Sequence, residues 1–209
     1  QYLAQCNPSY LKQILDLAND TFIGITDGQQ FDMDFETRND VSELEYLEMI
    51  RLKTSILLAA CLKMGAILGG ASEEDANLLY SFGEKLGLAF QLQDDLLDVY
   101  GDVKVFGKRI GGDIVCNKKT YMYINTCLLA SDEERAILAK WAQYEGDDVD
   151  AKIEAVKGVY DSVGIKGKAE AKIEELFNEA MSLLNKVSVL EEKKSVLREY
   201  ALSLMNRVL

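Results

Sequence analysis

The sequence predicts an all-α protein, a single helical domain over residues 1–209. Three observations point there. Proline occurs once, at Pro8, whereas a β-rich chain of this length uses prolines in its many turns. Apolar residues recur at three- and four-residue spacing along most of the chain. Two Ser-x-x-Glu capping boxes, Ser42 with Glu45 and Ser131 with Glu134, mark helix starts.

In chain order, Leu11, Ile14, Leu15 and Ala18 give a helix over 9–21, and a second is expected over 22–38 with Gly28-Gln29 inside it. Asp40-Val41-Ser42 is a break, and the Ser42 box opens a helix running to about residue 70. Ser72, with Asp75 three residues on, caps the next helix, which reaches Tyr100. Gly101, Gly107, Gly111 and Gly112 make 101–112 a loop. Helices follow at 119–129, 132–144, 149–163, 166–187 and 190–208, with Gly164 as a stop. In the 166–187 helix, Ile173, Leu176, Phe177, Ala180, Leu183, Leu184 and Val187 form one core-facing stripe. No repeat, low-complexity tract or linker divides the chain.

Composition narrows the function classes. Net charge is −12, from 35 acidic and 23 basic residues, which argues against nucleic acid or an anionic membrane as partner. There is no histidine, and the four cysteines, Cys6, Cys61, Cys116 and Cys127, show no CxxC spacing. This excludes histidine-based nucleophilic triads and argues against the common zinc sites. Free thiols suit a reducing, cytoplasmic setting. The most apolar stretch, 54–72, is interrupted by Lys63 and rich in Ala and Gly, so it reads as a core helix and not a membrane span. The chain opens Gln1-Tyr2-Leu3, without a signal peptide or an initiating methionine, as expected of a fragment or processed piece.

The informative run is GLAFQLQDDLLDVYGDVKVFGKRIGGDIVCNKKTY, Gly87 to Tyr121. Asp94 and Asp98 share a helix face about 6 Å apart along the axis, with Asp95 adjacent and Gln91 one turn before Asp94. The rest of that helix is apolar, so these acids need compensation, and a hard cation such as Mg²⁺ supplies it. Alone, DDxxD is more often a solvated face in so acidic a chain. Gly107-Lys108, Lys118-Lys119 and Lys53-Thr54, on separate elements, add the cations that a metal–diphosphate complex requires.

These runs closely resemble the second aspartate-rich region of the trans-type polyprenyl (isoprenoid) diphosphate synthases, the farnesyl, geranylgeranyl and longer-chain enzymes. GQQFDMDFE (Gly28 to Glu36) resembles the family's Gly-Gln-x-x-Asp helix, and Lys53-Thr54 its Lys-Thr pair, followed by Gly65-Ala66. The resemblance implies an isoprenoid-synthase-type helical bundle around a deep cavity, as a homodimer. It implies a Mg²⁺-dependent condensation of isopentenyl diphosphate with an allylic diphosphate, releasing pyrophosphate. By resemblance, Asp94 would ligate the metal, with Asp95 and Asp98 binding through it or its waters and Asp113 supporting its water shell. Lys53, Lys108 and Lys118 would hold diphosphate, with Gln29 on the substrate side. Thr54 and Gln91 would place oxygen dipoles near the developing allylic cation. Apolar side chains around Phe90 and along 56–68 could line the pocket, although plain helix packing is the commoner role.

The family has a first aspartate-rich region N-terminal to the Gly-Gln helix. Only 27 residues precede Gly28 here, and they contain no DDxxD. The expectation is a C-terminal portion lacking N-terminal helices, inactive in isolation. A non-catalytic subunit of a heteromeric synthase, a terpene cyclase relative and a purely structural bundle are the alternatives. Lys53-Thr54 and the Gly-Lys loop favour the synthase.

Overall fold

The computed structural model describes residues 3–102 and 110–205. Among them every regular element is helical: α1 (Pro8–Phe35), α2 (Glu43–Ile50), α3 (Ile56–Leu68), α4 (Glu73–Tyr100), α5 (Gly112–Val115), α6 (Tyr121–Leu129), α7 (Asp132–Ala142), α8 (Val149–Ser162), α9 (Ile165–Lys186) and α10 (Glu191–Met205). A short 3₁₀ turn, Leu3–Gln5, precedes α1, and a π-helical turn, Arg51–Ser55, joins α2 to α3.

The caps act as the sequence indicates. Both capping boxes are reciprocal, and Ser72 accepts from the Asp75 N–H. Gly164 stands between α8 and α9 with φ 69°, a conformation that costs glycine little. The thiols are unpaired.

Apart from end shifts of two or three residues, α5 is a helix that the sequence does not indicate, and two longer stretches differ from expectation. The stretches 9–21 and 22–38 form one helix, α1, which ends at Phe35, with Gly24 and Gly28 inside it as packing positions. The expected helix from Ser42 to residue 70 is interrupted by the π turn, where the Ile56 N–H reaches back to the Arg51 carbonyl. One extra residue in a turn rotates everything after it by about 100°. The expected end of the last helix at 208 lies outside the described residues.

α4 is the central helix and packs most extensively against α9 and α3. It is buried on most of its surface, with Leu88, Ala89, Leu92, Leu96, Leu97 and Val99 in the core, as a helix apolar nearly all round must be. The α9 stripe meets it: Ala180, Leu184 and Val187 pack with Phe82 and Leu86, while Ile173 and Leu176 join the main core. Phe177 and Leu183 are partly buried against these clusters. On α3, Ile56, Ala59, Ala60 and Ile67 are buried, but Leu57 and Leu68 are exposed, as are Phe22, Ile23 and Met33 of α1. No helix among the described residues is long and apolar enough to cross a membrane.

The π turn sits between two glycines. A Cβ on Gly28 of α1 would come within 2.4 Å of the Lys53 backbone nitrogen. A Cβ on Gly87 of α4 would come within 2.7 Å of the Ser55 Cα. Both neighbours are backbone and cannot swing aside. Gly28→Ala is therefore expected to destabilise by about 2 kcal/mol, outweighing the ~1 kcal/mol that alanine gains in a helix interior. A Cβ on Gly158 of α8 would meet nothing within 4 Å, so Gly158→Ala is expected to stabilise by ~0.5–1 kcal/mol. Denaturant unfolding of both variants checks the pair; equal effects would refute the close-approach account.

Candidate active site

Five segments converge on one cleft of about 620 Å³, counting its open mouth. α1 contributes Asp32, Phe35 and Glu36, and α2 contributes Tyr46, Met49 and Ile50. The π turn brings Lys53 and Thr54, α4 brings Gln91 and Asp95, and the segment through α5 to α6 brings Asp113, Lys118, Lys119 and Thr120.

The polar groups form a connected set. Thr54 Oγ1 donates to Gln91 Oε1 at 3.2 Å, and Gln91 Nε2 donates to Asp95 Oδ1 at 3.2 Å. The Tyr46 hydroxyl donates to Asp95 Oδ2. Lys53 Nζ pairs with Asp32 at 2.5 Å, and Lys118 Nζ with Asp113 Oδ1 at 2.8 Å. Asp98 Oδ2 accepts the Asp113 backbone N–H at 2.9 Å, so it holds the start of α5.

Burial sets the electrostatics. Desolvation pushes the Asp95 carboxyl up to about 7, despite the lowering effect of Tyr46 and Gln91. It also raises Asp98, partly opposed by the Asp113 and Gly112 amides. Tyr46 is driven well above its ordinary value by burial and then by the Asp95 charge. Hydrogen bonding to Asp113 raises Lys118, with Asp32 and Asp95 adding to it.

The structure brings Lys53, Thr54, Gln91, Asp95, Asp113 and Lys118 together. Gln91 bonds to Asp95, one full turn on. Asp94 and Asp98 are half-buried and lie outside the cleft lining. Gln29 is exposed and also outside it: at 100° per residue it turns away from the face on which Gly28 and Asp32 lie one turn apart. Lys108, with Gly107, lies outside the described residues. Phe90 and 56–68 do not line the cleft; Phe35, Met49 and Ile50 do. Sequence reasoning missed Asp32, although it is the last letter of the Gly-Gln-x-x-Asp run. It also missed Tyr46, whose only signal is a polar tip on an otherwise buried helix face.

The donors suit magnesium. They are hard oxygens, and burial holds the Asp95 and Asp98 carboxyls above the usual range, which a cation would reverse. Among the described residues no three acids are arranged to enclose a metal on their own.

Residues 1–159 match the family model described as Polyprenyl synthetase. The chain belongs to that family. This polyprenyl synthetase chain is 46% identical over 118 residues to a geranylgeranyl diphosphate synthase of Methanosarcina mazei, covering 56% of this chain and 36% of that protein. It is 38% identical over 152 residues to a geranylfarnesyl diphosphate synthase of Natronomonas pharaonis, covering 73% of this chain and 42% of that one. It thus spans well under half the length of these curated relatives. Among solved structures, a geranylgeranyl pyrophosphate synthase superposes with TM-score 0.91 at 37% identity, over 99% of this chain and 64% of that one. A geranylgeranyl pyrophosphate synthase of Corynebacterium glutamicum, complexed with isoprenyl diphosphate and magnesium, gives TM-score 0.87 at 25% identity, over 96% of this chain and 57% of that one.

The raised Asp95 carboxyl gives this polyprenyl synthetase a pH signature. In the unfolded chain Asp95 ionises near 3.8 and in the folded one near 7, so between these values the folded state holds more protons. Its contribution is full below pH 4 and is lost as pH rises to 7, by at most roughly 4 kcal/mol. Asp95→Asn is expected to remove this fall in stability between pH 4 and 7, measured by urea unfolding with chelator present. A slope unchanged in the variant would contradict the assignment.

Proposed function

We propose that this polyprenyl synthetase chain carries the allylic-diphosphate half of a Mg²⁺-dependent prenyl transferase that joins isopentenyl diphosphate to an allylic diphosphate and releases pyrophosphate. The observation that carries the reading is the convergence of Lys53, Thr54, Gln91, Asp95, Asp113 and Lys118 on one cleft from separate elements. The bound isoprenyl diphosphate and magnesium named for the Corynebacterium glutamicum relative support it.

Under this reading Lys53 and Lys118 bind diphosphate oxygens, with Lys108 as a further lysine. Asp94 ligates magnesium, Asp95 and Asp98 act through the metal or its waters, and Asp113 supports its water shell. Magnesium, when bound, neutralises the charge that builds on the leaving diphosphate. Thr54 and Gln91 turn oxygen dipoles toward the allylic carbon as positive charge develops there. Their mutual hydrogen bond and the Gln91–Asp95 bond fix the orientation beforehand. Phe35, Met49 and Ile50 keep water from that carbon. The unpaired thiols support a reducing, cytoplasmic setting. The exposed Phe22, Ile23, Leu57 and Leu68 on α1 and α3 support a covered face, which we assign to a homodimer contact. Sedimentation of the full-length gene product is expected to give a dimer; a monomer would refute that contact.

The deciding experiment is a Mg²⁺-dependent elongation assay on the full-length gene product, using isopentenyl diphosphate with allylic primers and product mass as readout. A defined prenyl product and pyrophosphate are expected, and Lys53→Ala is expected to lower turnover about 100-fold. The 209-residue chain alone is expected to give no product. Absence of product with every primer, from folded full-length protein, would move the assignment to a non-catalytic subunit.

A further inference from the structure

The turn after α5 is held from behind by Asn117 and Lys152, which line no part of the cleft. Asn117 has φ 54°, the one non-glycine residue with positive φ among those described. Asparagine tolerates this region because its side chain can hydrogen-bond locally. Here the side chain reaches away instead. Its Oδ1 accepts from Lys152 Nζ at 2.8 Å, and its Nδ2 donates to the Ala142 carbonyl at 3.0 Å. Its backbone N–H donates to the Ile114 carbonyl at 3.1 Å, and its carbonyl accepts from Lys119 Nζ at 3.3 Å. The residue therefore joins α5, α7 and α8 at one point.

Lys152, on α8, is 4% exposed. Its second hydrogen bond goes to the Val115 carbonyl at 3.0 Å. Both acceptors are neutral oxygens. A lysine so buried is ordinarily paired with a carboxylate, because an ammonium loses most of its hydration on burial. Packing alone would be served as well by an apolar side chain of the same length. What the ammonium adds is two fixed bonds across the turn, to Val115 before it and to Asn117 within it.

The next residue is Lys118. Its N–H donates to the Asp113 carbonyl at 2.9 Å, and its Nζ pairs with Asp113 Oδ1. The α5 segment is thus tied at its start to Asp98 and at its end to Lys152 through Asn117. A one-residue swing of the turn would carry Lys118 out of the cleft.

We propose that Asn117 and Lys152 are positioning residues for the diphosphate-holding end of the cleft, the buried ammonium locking the left-handed turn that aims Lys118 at the ligand. This rests on the reading of the cleft given above.

The test is calorimetric binding of inorganic pyrophosphate with Mg²⁺ to the full-length gene product, read beside its unfolding midpoint. Asn117→Gly keeps the turn's backbone conformation but removes both side-chain bonds. Lys152→Met keeps the stem and removes the ammonium. Each is expected to weaken pyrophosphate binding about tenfold. Asn117→Gly is expected to have no further effect in a Lys118→Ala background, since the anchor acts through that lysine. If Lys152→Met does not fold, Asn117→Gly and the double variant decide. Wild-type affinity in Asn117→Gly, or losses that add fully in the double variant, would overturn the inference and leave the reading of the cleft standing. Absence of pyrophosphate binding by the wild-type full-length protein would overturn both.

Discussion

The cleft depends on how closely three stretches of backbone approach at the Arg51–Ser55 turn. Gly28 on one side and Gly87 on the other let α1 and α4 touch its main chain. That contact fixes Lys53 and Thr54 in space, because the residues carrying them have no room to shift. It also sets the phase of the helix that follows, since a π turn rotates α3 relative to α2. Asp32 lies one turn beyond Gly28, and Gln91 one turn beyond Gly87. The glycines therefore seat the turn and aim its neighbours at the same opening. A larger side chain at either position would move a lysine and its counter-ion together.

Around that seat the buried acids are costly to stability, as the proposed ligand site requires. Asp95 is buried on the central helix, where an apolar residue would be more stable, and it keeps a raised pKa even with two donors, Tyr46 and Gln91. Asp98 commits its oxygen to the start of α5 and so links the aspartate run to Asp113. Carboxyls held in this condition are poised for a cation.

Much of the fold is legible in the sequence, because capping boxes, Gly164 and the apolar stripe of α9 are local signals with local consequences. The merger of 9–21 with 22–38 and the π turn are not, since both arise from tertiary contact. Gly24 and Gly28 carry no local signal that the π turn and α3 lie against them. The site divides the same way. Lys53, Thr54, Gln91 and the aspartates follow from motif letters. Tyr46 follows from no motif and reaches the site only because α2 crosses α4 beside Asp95. Asp32 stands inside a recognised run, yet helical phase alone shows that it, and not Gln29, faces the lysine.

The pairing of the cleft lysines has a consequence for how such a site fills. Lys53 is tied to Asp32 and Lys118 to Asp113, so neither ammonium faces the cleft without a partner. A diphosphate that takes these lysines must draw them from their carboxylates, leaving Asp32 and Asp113 without their cations in a cleft that already holds Asp95. Like charges so close repel, and burial strengthens the repulsion. A divalent cation arriving with the diphosphate removes that penalty, and the diphosphate in turn completes the cation's oxygen shell. Each then binds more tightly in the presence of the other, by the same factor in both directions. Under the proposed function, that mutual dependence is how a chain of net charge −12 would hold an acidic ligand.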